Sequence, residues 1–324
     1  MLLRAVRRAD FRDAQKSGDA SDLATRCRKT IGSSTLPMLN RANEVQGEPI
    51  TILDSDTPVQ SAPPRALGKV RLSVQDHARL GDLFQAGALK CVFPRPRTAS
   101  RLDAVLVNTA GGVTGGDRFT TTAHIKSGAR LAVTTQAAER FYRAMPGETA
   151  QITTRLIVDE GAELAWLPQE SICFDGCSIR RRLDLTIAPT GRALVVEPLV
   201  FGRMAFGETV VNGSISDRIF VRRNERPLYM DAWRLEGDLT AHLDRPAIGA
   251  GARAMASLIY IAPDASAQLS KIRDMLPEKA GISALGDDIL AMRLLAASGY
   301  EMRRNLLPVL DLLTHQTLPL CWRL

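Results

Sequence analysis

Gly128-Ala-Arg-Leu-Ala-Val133, Gly161-Ala-Glu-Leu-Ala-Trp166 and Gly191-Arg-Ala-Leu-Val-Val196 share one pattern, a turn glycine followed at once by a β-run. Leu131, Leu164 and Leu194 stand three residues after their glycines, and Val133, Trp166 and Val196 five after. Side chains two apart share one face of a strand, so each repeat presents an apolar pair to one side. The glycines are 33 and 30 residues apart, and Pro168 and Pro198 recur seven residues past the second and third. A period near 30 built of strands and turns, with no helix inside it, predicts coils of sheet stacked on one another. Evenly spaced hairpins in a β-sandwich are the alternative.

Working outward, strand-like alternation begins near Lys69 with Val70, Leu72 and Val74. Weaker echoes of the repeat occur at Gly87, with Pro94 seven residues on, and at Asn224-Glu-Arg-Pro-Leu-Tyr-Met-Asp231, which would make a fifth rung. After Gly237 the pattern changes. Asp264 is placed to cap a helix near 264–276 that Pro277 ends. The turn at Gly286-Asp287-Asp288 predicts a strand over 289–295. Met302, Leu306, Val309, Leu310 and Leu313 have helical spacing and predict a helix near 299–314, with a kink at Pro308. The fold class expected is mainly β: a β-helical body over 65–324 closed on one side by a small C-terminal α/β layer with few helices.

Residues 1–64 carry no sustained period of 2 or 3.6 and include Ser33-Ser34-Thr35 and Ser61-Ala62-Pro63-Pro64. They read as a disordered extension or a start codon placed too early, with Met38 an alternative start, and are expected to be dispensable. Asp10, Asp13, Asp19 and Asp22 argue against a transit peptide, and the absence of an apolar segment argues against a secretory signal or membrane span. Five scattered cysteines give no disulfide framework, which together with the missing signal predicts a cytoplasmic protein.

The 42 basic residues exceed the 35 acidic ones by seven. In sequence the excess is spread out, densest at Arg180-Arg181-Arg182 and Arg222-Arg223 in stretches that alternate like strands, with no stacking aromatics interleaved. That is read as solvated sheet faces, and nucleic acid is not expected as a partner.

The loop Gly111-Gly112-Val113-Thr114-Gly115-Gly116-Asp117 invites comparison with phosphate cradles, but Asp117 stands where a P-loop has Lys, and a further strand follows where a helix would begin. Its glycines predict positive φ or close approach of chains. Cys173 and Cys177 lack a second ligand pair, and His77, His124, His242 and His315 are dispersed, so no tight metal site is expected. Neither Gly-x-Ser-x-Gly nor His-Glu-x-x-His occurs. Two polar segments, Thr134 to Arg143 and Leu167 to Gly176, end successive rungs at corresponding places. Thr135, Glu139, Arg140, Tyr142, Arg143, Gln169, Glu170 and Asp175, with Gly111, Gly112, Gly115 and Gly116, are the candidate interaction face, because polar features repeated at one end of stacked rungs form a continuous surface.

The run Asn108-Thr-Ala-Gly-Gly-Val-Thr-Gly-Gly-Asp117, the Thr134 to Arg143 segment, Trp166-Leu-Pro-Gln-Glu170 with Phe174-Asp-Gly176, Phe201-Gly-Arg203 with Gly207-Glu208, and the closing Leu318-Pro-Leu-Cys-Trp-Arg-Leu324 together resemble the UreD (UreH) urease accessory proteins over about residues 68–324. Gln136 stands where many members have Pro, and Glu139-Arg140 replaces a commoner Thr-or-Ser-Lys. The resemblance implies a β-helical scaffold without catalysis of its own. It also implies a role in metalloenzyme maturation: binding apo-urease subunits and, through UreF, the GTPase UreG, for insertion of nickel. No cofactor is expected to be tightly bound, nickel being at most a transient passenger. The contrasting class is a solenoid enzyme acting on a carbohydrate or acidic substrate, which would need exposed paired carboxylates. Asp117, Glu197 in the third rung and Asp231 in the weak fifth are the candidate nickel path, with pairing to the abundant arginines as the alternative role.

Overall fold

The computed structural model describes residues 64–76, 78–95 and 100–323. The expected N-terminal extension therefore lies outside the described residues, Pro64 apart, and so does His77. Alternation in the first described segments gives β1 (Leu67–Gln75), its hairpin partner β2 (Arg79–Gly87), and a second antiparallel pair, β3 (Leu89–Val92) with β4 (Leu102–Asn108).

Coiling then begins. One coil is β5 (Arg118–Ile125), β6 (Arg130–Thr135) and the short β7 (Glu139–Phe141); the next is β8 (Ala150–Val158), β9 (Glu163–Leu167) and β10 (Ser171–Cys173). The third runs through β11 (Ser178–Ile187) into the long β12 (Arg192–Phe201), and β13 (Gly213–Arg223) starts a fourth. β1, β5, β8, β11 and β13 stack in parallel, as do β4, β6, β9 and β12. β7, β10 and the second half of β12 form a third, shorter parallel stack. This is the stacked-coil architecture that the spacing predicts.

The register corrects one detail of the repeat. Leu131 faces Leu164 and Val133 faces Trp166, but Leu164 and Trp166 face Ala193 and Val195, not Leu194 and Val196. Structurally, the equivalents of Gly128 and Gly161 lead to Thr190: the Gly128 amide bonds to the carbonyl of Glu160, and the Gly161 amide to the hydroxyl of Thr190. Gly191 corresponds to Ala129 and Ala162, whose amides likewise close the turn onto the residue three before. A one-residue shift reverses a strand's faces. Leu194 and Val196 accordingly leave the intersheet core and pack with the helical layer.

Two echoes are not rungs. β3, which follows Gly87, pairs antiparallel with β4 at an edge. Asn224 (φ 49°) and Glu225 (φ 60°) form a tight hairpin that returns the chain as β14 (Arg226–Gly237), antiparallel to β13. Two consecutive left-handed residues favour a return along the same strand over an onward coil. The seven-stranded sheet thus ends in antiparallel strands, β14 on one side and β2 on the other.

The second sheet continues beyond β12 through β15 (Ala254–Ile261), β17 (Ile289–Ala296) and β16 (Ala280–Ala284) to reach ten strands. A short helix α1 (Leu239–Asp244) precedes β15, and α2 (Ala265–Met275) and α3 (Gly299–Leu313) cover this end. Met302, Leu306, Val309, Leu310 and Leu313 of α3 are all buried, as their spacing predicts, and the helix continues through Pro308. Asp264 stands at the N-cap of α2 without capping it; its carboxylate bonds to Arg192 at 2.6 Å instead. One core lies between the two sheets, and a second between the ten-stranded sheet and the helices. Among the described residues no helix is long and apolar enough to cross a membrane.

Candidate functional site

The glycine loop leaves β4 at Asn108 and crosses one end of the rungs. Gly112 adopts φ 157°, and a Cβ there would meet the Tyr142 ring at 2.2 Å; a Cβ on Gly115 would meet that of Ala144 at 2.6 Å. Gly111 and Gly116 also have positive φ. Freed of side chains, the loop docks as one more rung: the Val113 amide donates to the carbonyl of Arg140 and the Tyr142 amide to that of Val113, both at 2.8 Å. Val113, Phe141, Cys173 and Phe201 are buried and stack through this short ladder. Asp117 closes the loop, accepting from the amides of Ala66 (2.7 Å) and Thr114 (2.8 Å). Asn108 donates both to the Gly112 carbonyl and to Glu139. Burial raises the pKa of Glu139 above the usual carboxylate range, against the opposing bonds from Asn108 and the Arg140 amide.

Beside this loop the rung ends make a continuous outer surface. Tyr142 meets Phe174 of the next rung edge-on at 5.0 Å, and Arg203 of the following one lies 4.3 Å over Phe174 and 5.3 Å over Phe206, which is 78% exposed. Arg143 pairs with Asp175 at 2.6 Å. Asp175 also accepts from the amides of Val211 and Asn212; burial pulls its pKa up, and these bonds with Arg143 outweigh that and hold it below the usual value. Thr135 ties its own rung to the next by accepting from the Gln169 amide, while Arg140 is exposed. Arg203 and Phe206 were missed as candidate residues, although Phe201-Gly-Arg203 is among the segments that carry the resemblance.

Gln169 and Glu170 belong elsewhere. Gln169 is only 6% exposed, and Arg303 of α3 donates to Gln169 Oε1 at 2.8 Å, to Glu170 Oε1 at 3.1 Å and to the carbonyl of Cys321 at 3.0 Å. The same guanidinium lies 4.9 Å over the Trp322 ring, and the Trp322 indole N–H donates to the carbonyl of Leu167. The Leu-Pro-Gln-Glu stretch and the closing segment, more than 150 residues apart, are thus one structural joint.

Between the sheets lies a cavity of about 230 Å³ whose walls include Thr121, Glu139, Thr154, Arg181, Glu197 and Asp217. Arg181 is not part of a solvated face: it alternates with Ile179 and Leu183, points inward and is 7% exposed. It pairs with Asp217 of the neighbouring strand and, at 2.9 Å, with Glu197, which also accepts from the Trp166 indole at 2.8 Å. Burial, the largest influence, raises the pKa of Glu197; Arg181 opposes this and Asp217 adds to it. Two carboxylates share one guanidinium, so the buried group carries a net negative charge when fully ionised. Cys173 and Cys177 are buried in the same core, and burial together with the neighbouring Cys177 thiol pushes the Cys173 thiol well up.

The three acids expected to lie near one another do not come together. Glu197 lines the cavity; Asp117 is bound to loop amides; Asp231 pairs with Arg293 at 2.5 Å on the antiparallel β14. Among the described residues no three His, Cys, Asp or Glu side chains gather in a way that would hold a metal ion.

Against known proteins, residues 66–323 match the family model of the UreD urease accessory protein. The chain belongs to the UreD family. The urease accessory protein UreD of Ruegeria pomeroyi is 52% identical over 243 residues, covering 75% of this chain and 94% of its own length. That of Roseobacter denitrificans is 48% identical over 264 residues, 81% and 96% of the two chains. A UreD protein of Methylobacterium is 42% identical over 253 residues, 76% and 89%. UreD proteins are maturation factors of urease, not enzymes, which removes the solenoid-enzyme reading. The UreD match takes in the coils and the helical layer alike, so the joint of Arg303 and Trp322 with the second coil lies wholly inside it.

Proposed function

We propose that this chain is the scaffold on which apo-urease meets the nickel-delivery machinery in the cytoplasm: it binds the apo-urease subunits and recruits UreF and, through UreF, the GTPase UreG. The observation that carries this reading is the family match over nearly all of the described residues. The contiguous surface of Tyr142, Phe174, Arg203 and Phe206 supports it, because aromatic and arginine side chains grouped at an exposed patch are typical anchors of protein interfaces. Nickel is the cargo. Of the acids expected on its path, we retain Glu197, whose place on the cavity wall supports an interior route. Asp117 and Asp231 are assigned to holding the fold.

The test is co-purification. Tagged chain produced together with urease subunits, UreF and UreG is expected to bring down all of them, and the Arg203→Ala/Phe206→Ala variant to lose at least one partner while remaining folded. Recovery of the tagged chain alone, under conditions in which UreF and UreG are recovered with urease, contradicts the proposal.

A further inference from the structure

Arginines that are scattered in sequence are gathered by the coils. On the outer face of the seven-stranded sheet, cross-strand register places Arg118, Arg180 and Arg234 in one row, alternating with Gln151 and Ser216. The adjacent row holds Lys69, Arg182 and Arg218, with Thr120, Thr153 and Ala232. Neither row contains an acid. Arg182 pairs with Asp184 and Arg234 with Glu236, each carboxylate lying in a flanking row, whereas Lys69, Arg118, Arg180 and Arg218 have no carboxylate partner among the described residues. Arg180 and Arg218, neither with a carboxylate partner, lie on the neighbouring strands β11 and β13 and two residues apart in register, so about 8 Å apart at the backbone. Like charges held this close without compensation repel, and an anionic partner relieves the repulsion.

The face is also shaped. Arg180, Arg182, Arg218 and Arg234 line a groove of about 820 Å³ beside the segment Ala144–Thr149, where Met145 is 56% exposed; the acids on its walls, Glu148 and Glu236, are each already paired, with Arg65 and Arg234. We infer that this groove docks an acidic segment of a protein partner, whose carboxylates pair with Arg180 and Arg218 while its apolar side chains rest on Met145. A protein segment suits the site better than a nucleic acid, because neither row offers an aromatic ring on which a base would stack, and Trp233, which borders the groove, is packed against the intersheet core. The inference rests on the charge and shape of this face and is separate from the proposal about urease.

Fluorescence anisotropy of the full chain with a labelled deca-glutamate peptide tests it, alongside a labelled deca-thymidine oligonucleotide. Arg180→Glu/Arg218→Glu is expected to weaken peptide binding at least tenfold, with unchanged circular dichroism since both residues face solvent. Arg245→Glu/Arg304→Glu, an equal charge change at exposed positions, one just after α1 and one on α3, is expected to change it less than twofold. Arg180→Gln/Arg218→Gln provides a milder variant should the reversal perturb folding, with an expected loss of at least threefold. Equal losses in the groove and helical variants, or none in either, overturn the inference. So does tighter binding of the oligonucleotide that depends on Arg180 and Arg218, which would make the face a nucleic-acid surface.

Discussion

Glu197 shows how a buried charge is both legible and misleading in a sequence. An acid in an apolar β-run announces that it has a partner, and pairing with arginine is one of the two roles the sequence allows it; the partner Arg181 is hidden in a run of three arginines that looks solvent-facing. Alternation with Ile179 and Leu183 was the signal that separates the middle arginine from its neighbours. Because the Glu197 pKa is raised in the fold, the folded chain holds more protons than the unfolded one above the ordinary carboxylate pKa. Stability therefore falls as pH rises from about 4.5 through the raised value, by at most about 1.4 kcal/mol per pH unit for this one group. Glu197→Gln keeps an acceptor for Trp166 and removes the surplus negative charge. Thermal melts from pH 5 to 8 are expected to show a flatter pH dependence for this variant; an unchanged slope would place the proton elsewhere. Arg181→Leu is the contrasting change. It strands two buried carboxylates, and urea denaturation at pH 7 is expected to show a loss of about 3–5 kcal/mol. Asp117→Asn replaces an acceptor with a donor opposite a backbone amide and is expected to cost about 1–3 kcal/mol by the same measurement.

At the scale of elements, the spaced repeat of turn glycines and β-runs places the coils, the Gly286-Asp287-Asp288 turn places β17, and helical spacing places α3. The one-residue displacement of the third repeat was not legible from identity of residues, since Gly191-Arg-Ala-Leu matches the wrong glycine; what decides the register is that the third turn is closed by Thr190 with Gly191 in the small-residue slot filled elsewhere by Ala129 and Ala162. The hairpin at Asn224 likewise mimics a rung until the two left-handed residues are seen. Joints between distant elements carry no periodic signal at all. Arg303 and Trp322 show no pattern pointing to Gln169, and only the fold brings them together. Trp322 is 1% exposed and binds β9 of the second coil through its indole, which donates to the Leu167 carbonyl. Trp322→Ala is expected to cost about 3–5 kcal/mol in urea denaturation, from lost burial and the unpaired Leu167 carbonyl. A loss below 1 kcal/mol would mean that the C-terminal segment is not a structural part of the helical layer.

For the whole molecule, the stacked coils explain how one chain presents several independent surfaces. The interior holds a charged cavity, the rung ends carry the aromatic and arginine patch, the outer sheet face carries the partly compensated basic rows, and the helices seal the remaining side. Such separation suits a scaffold, because partners on different faces do not compete for the same side chains. A chain acting as the proposed scaffold is needed for urease to receive nickel. The most direct measurement is the nickel content of urease purified from cells that produce the urease subunits, UreF and UreG, with or without this chain. Nickel near full occupancy is expected when the chain is present, and a small fraction of that when it is absent. Equal nickel content in the two preparations would contradict the scaffold role.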